Sequence, residues 1–463
     1  ASGHPTKYHD GTMVPKYSST STSTGTRTML CRPGDGHTRA CSHFQMGLRA
    51  AAAGALDQFG AASNYWHLGD SSYESLLSDH FTAVTPEIGC KWSDVQAAPG
   101  VFTFSECDRV LEAAEAAGQQ FRGHTVMWAS GDSGSAAHAW PAWLNDTLSA
   151  AELRDTLKTH VQTVVGRYAG RQAVYAWDVV NEALDESGSI GDSLWAKLGT
   201  GEGGERDFID EAFHAARLAS PETTLAYNDY NIASMTGWSA AKSQGCYDLV
   251  AERRARGVPI DAVGMQLHVD TEYNLVSGVQ ANMRRLGALG VEAHVTEIDV
   301  ACAPLGQSCA DVGGWTAARE EAQAQVYAAV LAACLDEPAC TSFTTWGVTD
   351  AITWRRDERP LLFDEKLEPK LAVQAIRDTL AANRSWVDAY YARAEPAFKG
   401  ADGGAALEGG EDSTLLIVLL AAGIPGATLL CVGAALAARH LLRRSEKVRL
   451  AKVPSTPSAR EGL

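Results

Sequence analysis

Between residues 46 and 385, short apolar runs alternate with stretches of helical periodicity at intervals of a few tens of residues. A parallel sheet covered by helices on both faces has strands that are near-continuous apolar runs. Eight such runs occur, centred on residues 59–62, 81–85, 120–124, 174–180, 224–227, 262–266, 293–296 and 342–346. The pattern therefore predicts eight consecutive βα units.

The stretches between the runs carry the signals of helix ends. Ser149 precedes one apolar-periodic stretch, Glu152 completes a capping box with it, and Gly170 lies just beyond the expected helix end. A second helix is predicted from Thr316 to Leu335, with acidic residues early and apolar residues at helical spacing afterwards. We expect a (β/α)8 TIM barrel over residues 46–386, with a doubly wound sheet as the alternative.

The segments on either side of the predicted barrel differ from it in composition. Residues 1–45 are polar and include a Ser/Thr run at 18–26, so we interpret them as a linker or the remnant of an upstream region. Residues 387–412 are rich in Gly, Ala and acidic residues and are interpreted as a stalk.

The segment 413–438 has no charged residue over 26 positions. As a helix it would be about 39 Å long, more than the roughly 30 Å of a hydrocarbon core. The tail 439–463 holds seven basic residues and two acidic ones. We therefore predict a single transmembrane helix at 413–438, with a cytoplasmic C-terminus and the barrel outside the cell or in a lumen. The alternative is a buried core helix rich in Ala and Leu.

Charge and cysteine content narrow the class of protein further. The net charge of −17 argues against nucleic acid as a partner. Nine of the ten cysteines lie in the predicted exterior, where disulfides can form, and no spacing resembles a metal site. Close pairs are Cys334 with Cys340, Cys302 with Cys309, and Cys31 with Cys41, although sequence does not fix connectivity. Cys90, Cys107 and Cys246 remain, so at least one thiol is unpaired.

Several polar residues end the apolar runs, where a (β/α)8 barrel has its active site. They are Glu87, His124, Asn181, Glu182, Asn228, Asp229, His268, Glu297 and Trp346. Any one of them could be a helix cap or a hydrogen-bonded core group. Their joint occurrence at the ends of predicted strands indicates a catalytic site.

Glu182 and Glu297 are predicted to end the fourth and seventh strands, so that they can face each other across the barrel mouth. Two facing carboxyl groups suit glycoside hydrolysis, in which one protonates the departing oxygen and the other attacks the anomeric carbon. In retaining enzymes the two groups lie about 5 to 5.5 Å apart. This chemistry requires neither a metal nor an organic cofactor.

Eight motifs in order resemble the glycoside hydrolase family 10 endo-1,4-β-xylanases, and the resemblance covers about residues 46–380. The motifs are Thr-Pro-Glu-Ile-Gly-Cys-Lys-Trp at 85–92, Arg-Gly-His-Thr-Val-Met-Trp at 122–128, Trp-Asp-Val-Val-Asn-Glu-Ala at 177–183, Asn-Asp-Tyr-Asn at 228–231, Gln-Leu-His at 266–268, Thr-Glu-Ile-Asp at 296–299, Trp-Gly-Val-Thr-Asp at 346–350 with Trp354, and Pro-Leu-Leu-Phe-Asp at 360–364. Each motif alone is moderately specific. Their order and spacing together make chance agreement very improbable.

The resemblance implies roles for the residues at the centre of these motifs. Glu182 would be the acid/base and Glu297 the nucleophile. Asn181 would hold the 2-hydroxyl of the sugar, and His268 would support Glu297. Asp299 is similar to the family's partner of that histidine, which would orient the ring.

The resemblance also implies substrate-binding residues. Glu87, Lys91 and His124 would bind xylose units on the glycone side, and Trp346 and Trp354 would wall the central sugar sites by stacking, with core packing as the alternative for both tryptophans. The remaining substrate-binding candidates are Trp128, Asn228, Tyr230 and Gln266. The pair Cys334 and Cys340 resembles a disulfide of the family.

Two positions depart from the family pattern. Ile88 stands where the family usually has Asn, and Gly131 stands where it usually has Gln. Two sugar-contacting side chains are therefore absent from the distal glycone-side subsite.

The sequence thus predicts a membrane-anchored, retaining endo-1,4-β-xylanase without a cofactor, acting on xylan or xylo-oligosaccharides. One alternative is a membrane-tethered carbohydrate-binding protein that has lost turnover, which Ile88, Gly131 and the anchor would suit. Another is a retaining glycosidase for a different β-linked glycan or an aryl glycoside, because related barrels share the two-carboxylate site.

Overall fold

The computed structural model describes residues 47–129, 140–199 and 207–383. Within them the strands are β1 Gln58–Ser63, β2 Ala83–Pro86, β3 Gln120–Gly123, β4 Met127–Trp128, β5 Val174–Asn181, β6 Thr224–Asp229, β7 Ala262–Met265, β8 His268–Asp270, β9 Glu292–Ala301 and β10 Cys340–Thr345. The helices are α1 Leu48–Ala52, α2 Ser71–His80, α3 Trp92–Val95, α4 Ser105–Ala116, α5 Ala150–Arg167, α6 Phe208–Ala219, α7 Ala240–Ala255, α8 Val276–Ala288, α9 Ala317–Asp336 and α10 at 371–383.

Eight parallel strands form a closed barrel in the order β1, β2, β3, β5, β6, β7, β9, β10. The barrel closes because β10 pairs with β1, with Phe343 opposite Phe59. The (β/α)8 prediction is confirmed, and each of the eight predicted apolar runs contains or overlaps one barrel strand. The closure excludes the doubly wound sheet, which has two free edges.

Two short strands, β4 and β8, were not predicted, and both lie at the C-terminal rim of the barrel. β4 pairs with the end of β5, and β8 pairs with the end of β9. Because β9 continues to Ala301 in order to pair with β8, Glu297 lies within this strand. The prediction that Glu297 ends the seventh strand was therefore wrong in detail, although the residue lies at the barrel rim.

The barrel core is made of buried aromatic and aliphatic side chains from the strands and the inner faces of the helices. Phe59 stacks between Phe81 and Phe343, with ring centroids 5.6 and 5.9 Å away. The α5 helix begins with the predicted capping box, in which Ser149 and Glu152 bond each other's backbone N–H groups. The side chain of Thr316 likewise caps α9.

Three disulfides join described residues of the barrel and its loops. Cys302–Cys309 and Cys334–Cys340 were both considered from the sequence, whereas Cys90–Cys107 was not. The latter joins the loop after β2 to α4. Cys246 is buried and unpaired among the described residues, while Cys31, Cys41 and Cys431 lie outside them.

Among the described residues, no helix has both the length and the apolar character needed to cross a bilayer. The predicted segment 413–438 lies outside the described part of the chain, as do the linker 1–45, the stalk 387–412 and the tail 439–463.

Candidate active site

Glu182 follows β5 directly at the barrel rim, in the left-handed region of backbone conformation with φ of 54°. Three side chains donate hydrogen bonds to its carboxylate. Trp128 Nε1 lies 2.8 Å from one oxygen, and Gln266 Nε2 and Asn181 Nδ2 each lie 3.0 Å from the other. A non-glycine residue in this conformation is uncommon and is often found at functional sites. The carboxylate is thereby held in one orientation over the barrel.

Glu297 is buried and accepts a hydrogen bond on each oxygen. Asn228 Nδ2 lies 2.8 Å from Oε1, and His268 Nε2 lies 3.2 Å from Oε2. The same Asn228 nitrogen lies 2.8 Å from Oδ1 of Asn181. The Nδ2 of Asn181 in turn donates to Glu182. Two amides therefore link the two carboxylates across the barrel mouth.

The ring of His268 lies between two carboxylates. Its Nδ1 is 2.9 Å from Asp299 Oδ2, and its Nε2 faces Glu297. Burial opposes a charge on the ring, but Asp299 and then Glu297 outweigh it and raise the pKa of His268 to about 10. The imidazole is therefore protonated at neutral pH and donates to both carboxylates.

Asp299 is fully buried and is held by three donors. Besides His268, these are the indole N–H of Trp354 and the guanidinium of Arg355, each 2.8 Å away. Burial would raise the pKa of Asp299, but the charges of His268 and Arg355 lower it below its usual value. Asp299 is thus a fixed carboxylate that contacts Nδ1 of His268, while Nε2 of the same ring contacts Glu297.

Glu87 and Lys91 follow β2 on the side of the barrel mouth predicted to bind the glycone. Burial raises the pKa of Glu87 to about 7, although Asn64, which donates at 2.8 Å, and Lys91 oppose this. Burial lowers the pKa of Lys91, and the carboxylates of Glu297, Glu182 and Glu87 oppose that shift. The ammonium of Lys91 also lies 4.6 Å from the centre of the Trp128 ring.

His124 follows β3 directly and points its Nδ1 at Asp178 Oδ2, 3.0 Å away. Asp178 is also bound by both ends of the Arg122 guanidinium, at 3.0 and 2.5 Å. The buried pair of Arg122 and Asp178 lies inside the barrel. Arg122 Nη1 also lies 2.9 Å from Nδ1 of His294. The arrangement fixes the orientation of the His124 ring at the site.

Two tryptophans flank the histidines. The ring of Trp346 meets His124 edge to face at 5.2 Å, and the ring of Trp354 meets His268 in the same way at 5.0 Å. Trp346 is buried, whereas Trp354 is 46% exposed. A tryptophan that has almost half its surface in solvent beside this cluster of carboxylates offers a face on which a sugar ring can stack.

The ring of Tyr230 packs against the buried ammonium group of Lys242. The Nζ of Lys242 lies 3.2 Å from the centre of the Tyr230 ring and 3.0 Å from Asp229 Oδ1. Asp229 also accepts the backbone N–H of Leu184, two residues after Glu182. Burial raises the pKa of Asp229 to about 7, and the charge of Lys242 opposes this.

The predicted site residues therefore lie at one end of the barrel, and contacts link most of them. Ile88 is half-buried next to Glu87, while Gly131 lies outside the described residues. Among the described residues, no group of His, Cys, Asp and Glu is arranged to hold a metal. The arrangement can hold one carboxylate ionised and present a second to the opposite side of a bound sugar.

The sequence reasoning missed the residues that support this cluster. They are Asn64 at Glu87, Arg122 and Asp178 at His124, Arg355 at Asp299, and Lys242 at Tyr230. Arg122 and Asp178 stand within recognised motifs, which was a usable signal. Lys242 lies in a helix without any motif, and only the fold brings it to the site.

A family model described as glycosyl hydrolase family 10 matches residues 47–379, which contain all of the predicted catalytic and substrate-binding residues. The chain belongs to this family.

Curated relatives and solved structures of family 10 resemble the chain over most of their own length. Endo-1,4-β-xylanase B of Thermotoga neapolitana is 33% identical over 330 residues, covering 70% of this chain and 87% of that protein. The crystal structure of xylanase 10B from Thermotoga maritima is 31% identical with a TM-score of 0.63, covering 73% of this chain and 98% of that one. Xylanase 10B from Thermotoga petrophila in complex with xylobiose is 30% identical with a TM-score of 0.63, covering 73% and 97%.

Proposed function

We propose that this chain is a retaining endo-1,4-β-xylanase that hydrolyses β-1,4-xylosidic bonds in xylan. The observation that carries the proposal is the pair of side-chain amides, Asn181 and Asn228, which connects the carboxylate of Glu182 to that of Glu297. The family 10 relatives named as xylanases, and the one solved with xylobiose, support xylan as the substrate.

In the proposed reaction Glu297 attacks the anomeric carbon while Glu182 protonates the departing oxygen. The bond between the sugar and that oxygen breaks as the bond to Glu297 forms, which leaves a glycosyl-enzyme intermediate. Glu182, now ionised, then removes a proton from water, and the water oxygen displaces Glu297. The sugar regains its original configuration.

The remaining site residues have supporting roles in this proposal. The amide of Asn181, beside Glu182, would bond the 2-hydroxyl of the reacting sugar. Protonated His268 would keep Glu297 ionised, because its ring donates to that carboxylate. Glu87, Lys91 and His124 would bind the glycone.

The direct test is to incubate the full chain with xylan, cellulose and mannan and to identify the products. Short xylo-oligosaccharides of β configuration at the new reducing end, seen by NMR before mutarotation, are expected from xylan alone. A 2-fluoro xylosyl inactivator should label Glu297, and mass spectrometry would locate the label. Glu297→Gln should abolish both the labelling and the hydrolysis of xylan, whereas the matched control Glu115→Gln, which changes a surface carboxylate, should keep both. Binding of xylan without release of sugar would instead favour the carbohydrate-binding alternative.

We further propose that residues 413–438 anchor the protein in a membrane with the tail 439–463 in the cytoplasm. The support is the charge-free run of 26 residues followed by seven basic ones. Protease added to intact vesicles should digest either the barrel or the tail, never both. Equal access to both would contradict this topology.

A further inference from the structure

The Cys90–Cys107 disulfide lies directly beside two residues of the candidate active site. It joins the loop after β2 to the first turn of α4, with the two Cα atoms 4.8 Å apart. Lys91 follows Cys90 in the chain, and Glu87 precedes it by three residues. Both cysteines are fully buried. The disulfide is therefore a buried covalent link between α4 and the loop that carries two of the glycone-side candidates.

Helix α4 is held to its neighbours next to Cys107. The carboxylate of Asp108 accepts a hydrogen bond at 2.9 Å from the hydroxyl of Tyr168, at the end of α5. The guanidinium of Arg109 donates at 2.6 Å to the carbonyl of Leu68, which lies between β1 and α2. Cys107 therefore belongs to an element that contacts two other parts of the barrel, and it is a fixed support for the loop.

The loop after β2 passes very close to the first turn of α4. Gly89 has a φ of +93°, and a Cβ built there would lie 3.0 Å from the Cβ of Glu106. Both the backbone conformation and the space therefore require glycine. The N–H of Gly89 donates at 3.0 Å to Asp94 in α3. Cys90 comes next, so the covalent bond holds the loop where it approaches α4.

The side chain of Lys91 occupies a place that its charge disfavours. A lysine has a flexible stem and usually extends its ammonium group into water. Lys91 is instead only 8% exposed, and its Nζ lies 4.6 Å from the centre of the Trp128 ring. Removing a charged group from water costs free energy that its partners return only in part. A small movement of the loop would therefore let this ammonium group return to water.

The position of Lys91 also affects the surroundings of the acid/base. The Trp128 ring that Lys91 contacts donates from Nε1 to Oε2 of Glu182 at 2.8 Å. The charges of Glu297, Glu182 and Glu87 all oppose the lowering of the pKa of Lys91 by burial, so these carboxylates stabilise its ammonium form. A shift of Lys91 would remove a positive charge from their vicinity.

We propose that the Cys90–Cys107 disulfide is a positioning element of the active site, which holds Lys91 in the buried position from which it binds the glycone. The bond acts through the backbone of the loop and does not touch the substrate. The inference rests on the proposed xylanase function for its turnover readout. The burial of Lys91 is measured without any substrate.

The first measurement is the rate at which an amine-specific acylating reagent modifies each lysine of the full chain, followed by mass spectrometry. The variant combines Cys90→Ala with Cys107→Ala. We expect Lys91 to be modified about tenfold faster than in the wild type, because the loop opens more often. Lys242 and Lys370 are also buried and should keep their wild-type rates, so they report on the rest of the barrel.

A matched control removes a different buried disulfide. Cys334→Ala with Cys340→Ala breaks the bond between the end of α9 and the start of β10, at the end of the barrel opposite the site. Lys91 should keep its wild-type rate in this control. A second variant, Cys90→Ala with Cys107→Val, retains more of the buried volume without the bond and should expose Lys91 as the first variant does.

The second measurement is kcat/KM for xylotriose. Loss of the Cys90–Cys107 bond should lower it by about tenfold, because a displaced binding group no longer orients the sugar. Lys91→Met should lower it as well. Combining Lys91→Met with loss of the bond should lower it no further than Lys91→Met alone, since both changes remove the same contact. The control without the Cys334–Cys340 bond should keep the wild-type value.

Wild-type protection of Lys91 in either variant that lacks the Cys90–Cys107 bond would overturn the proposal. So would equally faster modification of Lys242 and Lys370, since the bond would then stabilise the whole barrel alone. Losses in kcat/KM that add to those of Lys91→Met would show that the bond does not act through Lys91. Selective exposure of Lys91 in a chain that does not cleave xylotriose would support the positioning role and contradict only the xylanase function.

Discussion

The Nε2 atom of His268 lies 3.2 Å from Oε2 of Glu297. Because Asp299 keeps the ring charged, Glu297 faces a fixed cation throughout the proposed reaction. When water displaces the sugar from Glu297, the carboxylate must regain its full negative charge. A preorganised cation in a buried site stabilises charge as it develops, so His268 should favour this second step, in which Glu297 is the leaving group.

Asp299→Asn tests whether the carboxylate of Asp299 keeps the ring of His268 charged and oriented. Without the carboxylate the pKa of His268 should fall, and kcat on xylan should fall by about 10- to 100-fold because the ring loses its orientation. The midpoint of the His268 ring titration, followed by ¹⁵N NMR, should move to lower pH. Asp248→Asn, on the surface of α7, is the control. An unchanged His268 midpoint would show that Asp299 does not govern this charge.

The pKa of His268 also predicts how stability depends on pH. The folded pKa of about 10 lies above the ordinary value of 6.5, so the folded state binds this proton more tightly than the unfolded chain. The resulting contribution to stability is complete below about pH 6.5 and is lost as pH rises to about 10.

This dependence is measured as the difference in free energy of unfolding between the wild type and His268→Gln. The difference should be constant below about pH 6.5 and should shrink steadily from there to pH 10. Groups that lie far from His268 cancel in the subtraction, and Asp299, whose pKa is lowered by His268, titrates below this pH range. A difference that grows with pH over this range would have the wrong sign for a charged His268.

Glu182→Gln separates protonation from the other steps. On xylan, whose leaving group is poor, kcat should fall by about 10²- to 10⁴-fold, because this proton transfer has no substitute. On an activated aryl xyloside the first step needs little protonation and should keep most of its rate. Pre-steady-state release of the phenol measures that step. Equal losses on the two substrates would argue against Glu182 as the acid.

The barrel could be predicted from the chain because strand and helix patterns alternate eight times in the sequence. The short strands β4 and β8 could not be predicted. Each has two or three residues, and each exists because a barrel strand extends past the rim and offers a free edge. Cys90 and Cys107 are 17 residues apart, and their pairing depends on α4 folding back over the loop after β2.

The pair of carboxylates proposed to react was also accessible from sequence, because motifs mark Glu182 and Glu297. Their supports were less accessible, since each contact joins residues that lie far apart in the chain. Arg355 reaches Asp299 across 56 positions, and Trp128 reaches Glu182 across 54. A propensity or a spacing carries no information about such pairs.

Ile88 and Gly131 predict a weakened distal glycone subsite. Each lost amide removes a hydrogen bond worth about 0.5 to 1.5 kcal/mol, so two lost bonds weaken binding by a factor of about 5 to 150. Restoring Ile88→Asn and Gly131→Gln together should raise kcat/KM for xylotriose more than for an aryl xyloside, which fills only the central site. The measurement compares the ratio of kcat/KM between the double variant and the wild type for xylotriose with the same ratio for the aryl xyloside. Equal changes for both substrates, or none, would show that these positions do not line the subsite.

The buried pair of Lys242 and Asp229 gives the last prediction. The side chain of Lys242 is fully buried and lies 3.0 Å from Asp229, which bonds the backbone two residues beyond Glu182. Lys242→Met would leave that carboxylate buried without a cation, at a cost of about 3 to 5 kcal/mol in the free energy of unfolding. Replacing both residues, as Lys242→Met with Asp229→Asn, removes the unpaired charge and should recover much of the loss.

The four proteins of this double-mutant cycle, compared by denaturant unfolding, give the coupling energy directly. The kcat/KM on xylan is a second measurement, which a change in stability alone would not alter. Because the ammonium supports the ring of Tyr230 from below, the double variant should regain stability while kcat/KM on xylan remains below that of the wild type. A coupling energy near zero would mean that the pair is not an interacting unit. Full recovery of activity in the double variant would show that the cation does not position Tyr230.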